Sequence, residues 1–354
     1  MSWHGIEGHD AIVAHFRRAL ERGRLASSFL FVGPEGVGKR RFALKLAQAL
    51  LCPARPEAEL DPCESCPSCL QVEAQTHPDL LLVSKPADKS FLPLELLIGD
   101  KEHRMQEGLC HDLALKPFLG RRKIAIVDDA DYLNAEGANS LLKTLEEPPP
   151  GSVLILLGTS PAKQLPTIRS RCQQVRFGPL PAETIARLLV AQGLVDDPAV
   201  ARRVAAHSEG SIQRAVELAD ADLWAFRARL LEALAAPRLD AAGLSQAVTA
   251  FVDAAGREAP PRRRRMRQAM GLAAEFYRHV LHALSGAAPP SDPDLQRRVR
   301  QAADAWPGDQ STAAACIDRC LEAAQHVDRN AHQAAVLECW LDDLARTAAC
   351  EGVK

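Results

Sequence analysis

The stretch that decides the fold is SSFLFVGPEGVGKR, residues 27–40. SSFLFV (27–32) reads as a short buried strand, and a glycine-rich turn then opens a helical pattern over 39–51. GPEGVGK fits the spacing G-x-x-x-x-G-K. Gly33, Gly36 and Gly38 let backbone N–H groups turn inward around a phosphate, and the helix N-terminus adds a favourable dipole. Lys39 is then the residue that reaches the β- and γ-phosphates. The expectation is a phosphate-binding-loop domain. There is one departure. Where a Ser or Thr hydroxyl would ligate Mg²⁺ stands Arg40, whose guanidinium cannot coordinate a cation and brings like charge to it.

Outward from this loop, HPDLLLV (77–83), RKIAIVDDAD (122–131), SVLILLGTS (152–160) and QQVRF (173–177) read as further strands. Helical patterns at 10–22, 93–115 and 134–147 lie between or before them, with Gly99 and Gly108 interrupting the second. Strands alternating with helices imply a parallel α/β sheet, and near-continuous apolar runs such as IAIV and VLILL suit strands buried on both faces. The acids at the end of the 122–131 strand suit a metal and water site. Asp128 would hold Mg²⁺ through water, and Asp129 stands where an ATPase has Glu to orient the attacking water. Asp is one methylene shorter, roughly 1.5 Å, and a misplacement of that order costs ~100-fold in rate. The pocket thus keeps what ATP binding needs, while the parts that Mg²⁺-dependent hydrolysis needs are weakened at Arg40 and Asp129.

Four of the ten cysteines crowd into one segment as Cys52-x10-Cys63-x2-Cys66-x2-Cys69. That clustering points to a metal rather than to disulfides. Four thiolates at such spacing can wrap a tetrahedral Zn²⁺ in a closed, structural site, against the alternative of reduced thiols in a loop. The segment carries Pro and few apolar residues, so it reads as an insertion outside the sheet. The remaining cysteines read as small core residues.

At Gly178-Pro179 the pattern changes, and every later segment reads as helix. The expected organisation is an α/β domain over 1–178 with its insertion at 52–69, a helical lid over 179–219 and an all-α region over 220–354, with periodicity at 223–236, 262–285, 309–328 and 330–347. Three short helices fit the lid at 181–192, 198–207 and 210–219, and Arg214 heads the third, within reach of a nucleotide's phosphates or simply on a helix surface. TIRSRC (167–172) places two arginines at the edge of the α/β domain. PPRRRRMR (260–267) is the one dense basic run, and it reads more readily as a solvated helix start than as a DNA contact.

Composition narrows the classes further. The 354 residues are 47% hydrophobic and 25% charged, which suits a folded globular chain. Lys plus Arg is 43 against 45 Asp plus Glu, so no global basic field advertises nucleic acid and any DNA contact must be local. Aromatics at 5% are too few for base stacking to be the main business. MSWHGIEGHD has neither a basic nor an apolar run, and no stretch approaches the roughly 20 apolar residues of a membrane helix. A cytoplasmic chain with no membrane partner is expected. His77, His103 and His111 suggest no base–nucleophile pair.

Taken in order, GPEGVGK, the cysteine cluster, ALKPFLGRRKIAIVDDADYLNAEGANSLLKTLEEPP (114–149) and LPTIRSRCQ (165–173) resemble the bacterial clamp-loader AAA+ family of the DNA polymerase III holoenzyme. The resemblance is dense over about residues 3–219. It implies an AAA+ domain, a helical lid and a helical collar that joins a hetero-pentamer with gamma/tau and delta subunits. That assembly places the sliding clamp on primer–template DNA. It also implies a stator that hydrolyses no ATP alone. Its Arg171, flanked by Ser170 and Cys172, serves as an arginine finger to ATP on a neighbour, a role worth roughly 10³–10⁵ in rate. The cysteines match the family's structural zinc module. Thr159 falls near the sensor-1 position. Arg214 lies one residue past the sensor-2 position, where Gln213 stands. The competing readings are an ATP-hydrolysing motor of the gamma/tau type and a zinc-dependent DNA-binding module.

Overall fold

Five parallel strands form one sheet in the order β2-β3-β4-β1-β5, with β1 at Ser28–Val32, β2 at Leu80–Val83, β3 at Lys123–Val127, β4 at Ser152–Gly158 and β5 at Gln173–Arg176. The computed structural model describes residues 3–86, 89, 91–290, 292–329 and 331–350. The strand order sets the function-bearing edge. β4 lies between β1 and β3, so the segments following these three strands emerge side by side at their C-terminal ends, where open α/β sheets bind ligands.

The three central strands β1, β3 and β4 bury both faces, whereas the edge strand β5 buries only Val175 and β2 is largely half-buried. From β1, Phe29 and Phe31 point to one side and Leu30 and Val32 to the other. The first side is covered by α1 (Asp10–Glu21) and α2 (Lys39–Leu51), with α3 (Pro67–Glu73) at the margin. Here half of the chain's ten phenylalanines gather, with ring centroids of Phe16, Phe29, Phe31, Phe42 and Phe177 meeting at 5.0–6.2 Å. The second side is covered by α4 (Glu95–Ile98), α5 (Leu109–Ala114), α6 (Ala135–Glu146) and α7 (Pro166–Arg169), through Leu97, Leu113, Leu141 and Ile168.

The helical pattern over 93–115 resolves into two short helices, α4 and α5, rather than one. The cause is Gly108, at φ +87°. A Cβ there would stand within 2.6–2.9 Å of the backbone of residues 97–99, so the chain folds back on itself where only glycine fits.

After β5 the chain is helical. It runs through α8 (Ala182–Ala191), α9 (Pro198–His207), α10 (Ile212–Leu218), α11 (Ala221–Leu234), α12 (Ala241–Asp253), α13 (Ala259–Leu284), α14 (Pro293–Asp304), α15 (Gln310–Asp328) and α16 (Gln333–Ala348). Two of these, α12 and α14, fall outside the expected helical segments. Both start on aspartate caps: Asp240 accepts from the Gly243 N–H and Asp292 from the Asp294 N–H. Asn330, the first residue of the expected 330–347 helix, lies outside the described residues.

Two compact units result, 1–215 and 216–354. The first holds the sheet and the helices through α9. The second has its own core, built on Met266, Met270, Phe276 and Tyr277 of α13, Cys316 and Cys320 of α15, and Trp340 of α16. Phe226 and Phe251 stack within it at 4.2 Å, and a buried Arg227–Asp292 ion pair joins α11 to the start of α14 at 2.6 Å. No helix among the described residues is long and apolar enough to cross a membrane.

Candidate nucleotide pocket, cysteine centre and edge arginine

The loop after β1 turns through two glycines with positive φ, Gly36 at +71° and Gly38 at +97°, and enters α2 at Lys39. Gly36 is enclosed. A Cβ there would meet Ser211 Oγ at 2.3 Å and Gln213 Cβ at 2.7 Å, and the Ile212 N–H donates to the Gly36 carbonyl at 3.0 Å. The start of α10 thus sits on the glycine loop, and the residue facing the loop is Gln213. Arg214 turns instead to Glu209, at 3.0 Å. His9, just before α1, holds the loop from below. Its buried ring packs 4.9 Å from Phe177, and its Nε2 lies 2.8 Å from the Val37 carbonyl.

Lys39 Nζ donates to the carbonyls of Gly33 at 2.6 Å and Pro34 at 2.7 Å. Burial pulls its pKa below the usual lysine value, against the opposing charges of Glu35, Asp131 and Asp128. Its neighbour Arg40 crosses to the end of β3. Arg40 NH1 donates to Asp128 Oδ2 at 2.6 Å, and NH2 donates to Gln75 Oε1 at 3.1 Å. Asp128 Oδ1 accepts the N–H of Asp129 at 3.0 Å. Asp129 sits in the left-handed region at φ +57°, and burial, reinforced by the Asp128 charge, raises its pKa.

Thr159, at the end of β4, faces Asp131. Its N–H donates to Asp131 Oδ2 at 2.9 Å, its hydroxyl bonds the same oxygen, and Gln164 Nε2 donates to Oδ1 at 2.6 Å. Lys39, Asp128, Asp129 and Thr159 therefore stand along one edge, with Arg40 paired to the acid that would otherwise face a cation.

The four cysteines come together from three places. Cys52 ends α2, Cys63 lies in the loop, and Cys66 and Cys69 belong to the cap and first turns of α3. Their sulfurs all lie within 4.8 Å of one another, with Cys52–Cys66 at 4.0 Å and Cys63–Cys69 at 3.9 Å. A metal at ~2.3 Å from each of four tetrahedral sulfurs sets them about 3.8 Å apart, so the donor set fits a metal ion. The N–H of Cys66 points at Cys63 Sγ, and that of Cys69 at Cys66 Sγ. Backbone N–H groups of Ser65 and Cys66 lower the Cys63 pKa to about 6, which favours thiolate, while burial pushes Cys66 and Cys69 up. The centre is fastened to the sheet domain. Gln48 Nε2 donates to the Cys69 carbonyl at 2.9 Å, Ser68 Oγ to the Leu51 carbonyl at 2.7 Å and Trp3 Nε1 to the Leu60 carbonyl at 2.8 Å.

Arg171 follows α7. Its Nε donates to Glu146 Oε1 at 2.8 Å, its NH2 lies 2.5 Å from the same oxygen, and NH1 donates to the Thr167 carbonyl at 3.1 Å. It keeps about a third of its side chain exposed. The basic run at the start of α13 is tied into its own unit. Arg262 pairs with Asp253, Arg264 with Glu217, Arg265 with Asp220 and Asp222, and Arg267 with Asp328. Those arginines are occupied by acids, which counts against a bare phosphate-binding patch.

Several residues that hold the pocket or the α/β domain carry no motif of their own. Gln75 and His9 are recognised only by what they touch. Asp131 lies inside the DDAD string, but its hold on Thr159 is not readable there. Asp79 is buried at the start of β2 and accepts the backbone N–H groups of Phe118, Leu119 and Gly120 at 2.6–3.1 Å. It fixes the loop from which Phe118 projects.

The sheet order, the glycine loop with its lysine and the acids after β3 define a P-loop domain of the AAA+ kind, followed by helices. The profile of the family described as "DNA polymerase III, delta subunit" matches residues 8–181. A Bacillus subtilis protein, DNA polymerase III subunit delta-prime, is 34% identical over 207 residues, covering 58% of each chain. The Pseudomonas aeruginosa protein of the same name is 36% identical over 182 residues, 51% of each chain. A Mycobacterium tuberculosis DNA polymerase III subunit gamma/tau is 34% identical over 200 residues, 55% of this chain and 32% of that one. Through its α/β domain the chain is similar to the DNA polymerase III delta-prime subunits. The match spans a little over half the length of the delta-prime relatives.

Proposed function

We propose that this chain is the stator of a bacterial clamp loader, a delta-prime-type cytoplasmic subunit that hydrolyses no ATP by itself. In this reading it joins gamma/tau and delta subunits in a hetero-pentamer that loads the sliding clamp on primed DNA. One observation carries the reading. The acid after β3 that a working ATPase offers to magnesium is held at 2.6 Å by Arg40, the residue that replaces the ligating hydroxyl. Gamma/tau proteins are relatives too, but this ion pair and the short Asp129 argue against a motor.

The domain division carries over: an α/β domain over 1–178, a lid over 179–219 and a collar over 220–354. Gly33, Gly36, Gly38 and Lys39 form the phosphate cradle, with Thr159 steadied by Asp131 beside it. Cys52, Cys63, Cys66 and Cys69 hold structural zinc, which when bound cross-links the end of α2 to α3. Arg171 is the finger. About a third of its side chain is exposed at the domain edge, and Glu146 and the Thr167 carbonyl hold its guanidinium until a neighbour's triphosphate competes for it. A guanidinium given in trans stabilises charge that develops on the transferring phosphoryl group.

The test is reconstitution. Wild-type chain and Arg171→Ala are each mixed with gamma/tau, delta, clamp and primed DNA, and the complex is checked by gel filtration before ATP turnover is measured. Equal assembly with turnover lowered at least ~10³-fold at the dependent site supports the finger. Unchanged turnover removes it, and failure of the wild-type chain to co-elute removes the stator reading.

A further inference from the structure

Magnesium does not fit beside Asp128 in this chain, and we infer that Arg40 stands in for it, so that the pocket takes a nucleoside di- or triphosphate free of metal. The inference rests on the pocket part of the reading above and not on any partner. Both oxygens of Asp128 are already engaged, and the charge on one of them is met by a cation. Oδ1 takes the Asp129 N–H at 3.0 Å and Oδ2 takes Arg40 NH1 at 2.6 Å. Magnesium asks for near-octahedral oxygen ligands at about 2.0–2.1 Å and usually keeps several of its waters. To take Asp128 Oδ2, directly or through one of its waters, it would have to displace a guanidinium that Gln75 also holds. The hydroxyl that would ligate it is missing, and the guanidinium supplies no oxygen.

What the site loses in a divalent cation it regains in fixed charge. A guanidinium has five N–H donors. Two bonds, to Asp128 and Gln75, leave others for phosphate oxygens, and arginine meets phosphate in planar, charge-assisted pairs. Lys39 adds a second cation one residue away. It now donates to two loop carbonyls, Gly33 and Pro34, which are bonds that phosphate oxygens can replace. Metal-free nucleotide carries more negative charge than its magnesium complex and so suits a pocket with two built-in cations. Bound magnesium would also put like charge beside Arg40.

The test is calorimetric titration of the purified full chain with ADP, in excess magnesium and in EDTA. Wild type, Arg40→Thr and Arg40→Ala are compared, each shown folded by its thermal melt; the position is 46% exposed, so the substitutions empty no core. Wild type is expected to bind ADP at least as tightly in EDTA as in magnesium. Arg40→Ala should weaken binding in both buffers, and Arg40→Thr should weaken it in EDTA by about tenfold or more and recover in magnesium. Wild-type binding that tightens with magnesium, or an Arg40→Thr variant indifferent to it, overturns the role of Arg40 while leaving the pocket standing. No binding by wild type in either buffer overturns both.

Discussion

Replacing Cys66 with serine isolates the metal from everything else the cysteine does. Cys66 caps α3, its sulfur accepting the Cys69 N–H at 3.4 Å. Serine is among the best capping residues, so the substitution leaves the helix start intact. What it removes is one of four sulfurs that lie within 4.8 Å of one another. Losing a ligand loosens a tetrathiolate ion by at least ~100-fold, by analogy with the 10–100-fold that even supporting residues command. At saturating metal that is about 2.7 kcal/mol of stability lost. The assay has two readouts: metal per chain after dialysis against a weak chelator, and urea unfolding with and without EDTA. Wild type should carry one ion per chain and lose stability in EDTA. Cys66→Ser should carry far less and respond weakly. Cys339→Ser, an exposed cysteine outside the cluster, should match wild type. Full metal occupancy in Cys66→Ser, or a wild type indifferent to EDTA, refutes the four-thiolate centre.

Three further expectations follow from single contacts. Asp79→Asn leaves one backbone N–H of the 118–120 loop facing an amide donor and weakens the other two bonds, so the first unit should lose about 2–4 kcal/mol in urea unfolding; a loss below ~0.5 kcal/mol contradicts the role of that carboxylate. Glu146→Ala breaks a half-exposed ion pair and should cost under ~1 kcal/mol, with assembled turnover affected far less than by Arg171→Ala; an equal loss of turnover would make Glu146 more than a support. Asp129 has a folded pKa above its unfolded one, so the protonated form favours the folded state, and that contribution fades as pH rises from the ordinary aspartate value through the raised one. Asp129→Asn, which tolerates the left-handed backbone, should therefore gain stability over wild type above that window and not below it. A gain independent of pH would contradict the assignment.

The sheet was legible because its central strands are apolar on both faces, and runs such as IAIV and VLILL have few other homes. The glycine loop was legible for a related reason. Its chemistry is local, with a strand before it and a helix after it. The helix over 93–115 was not legible in the same way. Gly108 matters through a close approach to residues 97–99, which no periodicity reports. The aspartates capping α12 and α14 were there to be read; alanines blur the period of α12, while α14 offers only Leu295, Val299 and Ala302 as its buried stripe among polar residues. At the pocket, sequence identifies Arg40 as a misfit and Asp128 as an acid. It does not pair them, because 88 residues separate the two and only the order of β1, β4 and β3 brings them together. Gln75 and His9 stand nearer in sequence to the residues they hydrogen-bond, but neither belongs to a motif that announces its contacts.

The central claim is that this pocket is kept without its catalysis while Arg171 serves a neighbour. Steady-state ATP hydrolysis by the pure chain in magnesium buffer, beside Lys39→Ala, tests it most directly. The account predicts the same background rate for both proteins, with and without primed DNA. Turnover by the wild-type chain that Lys39→Ala abolishes would contradict it and make the subunit a motor.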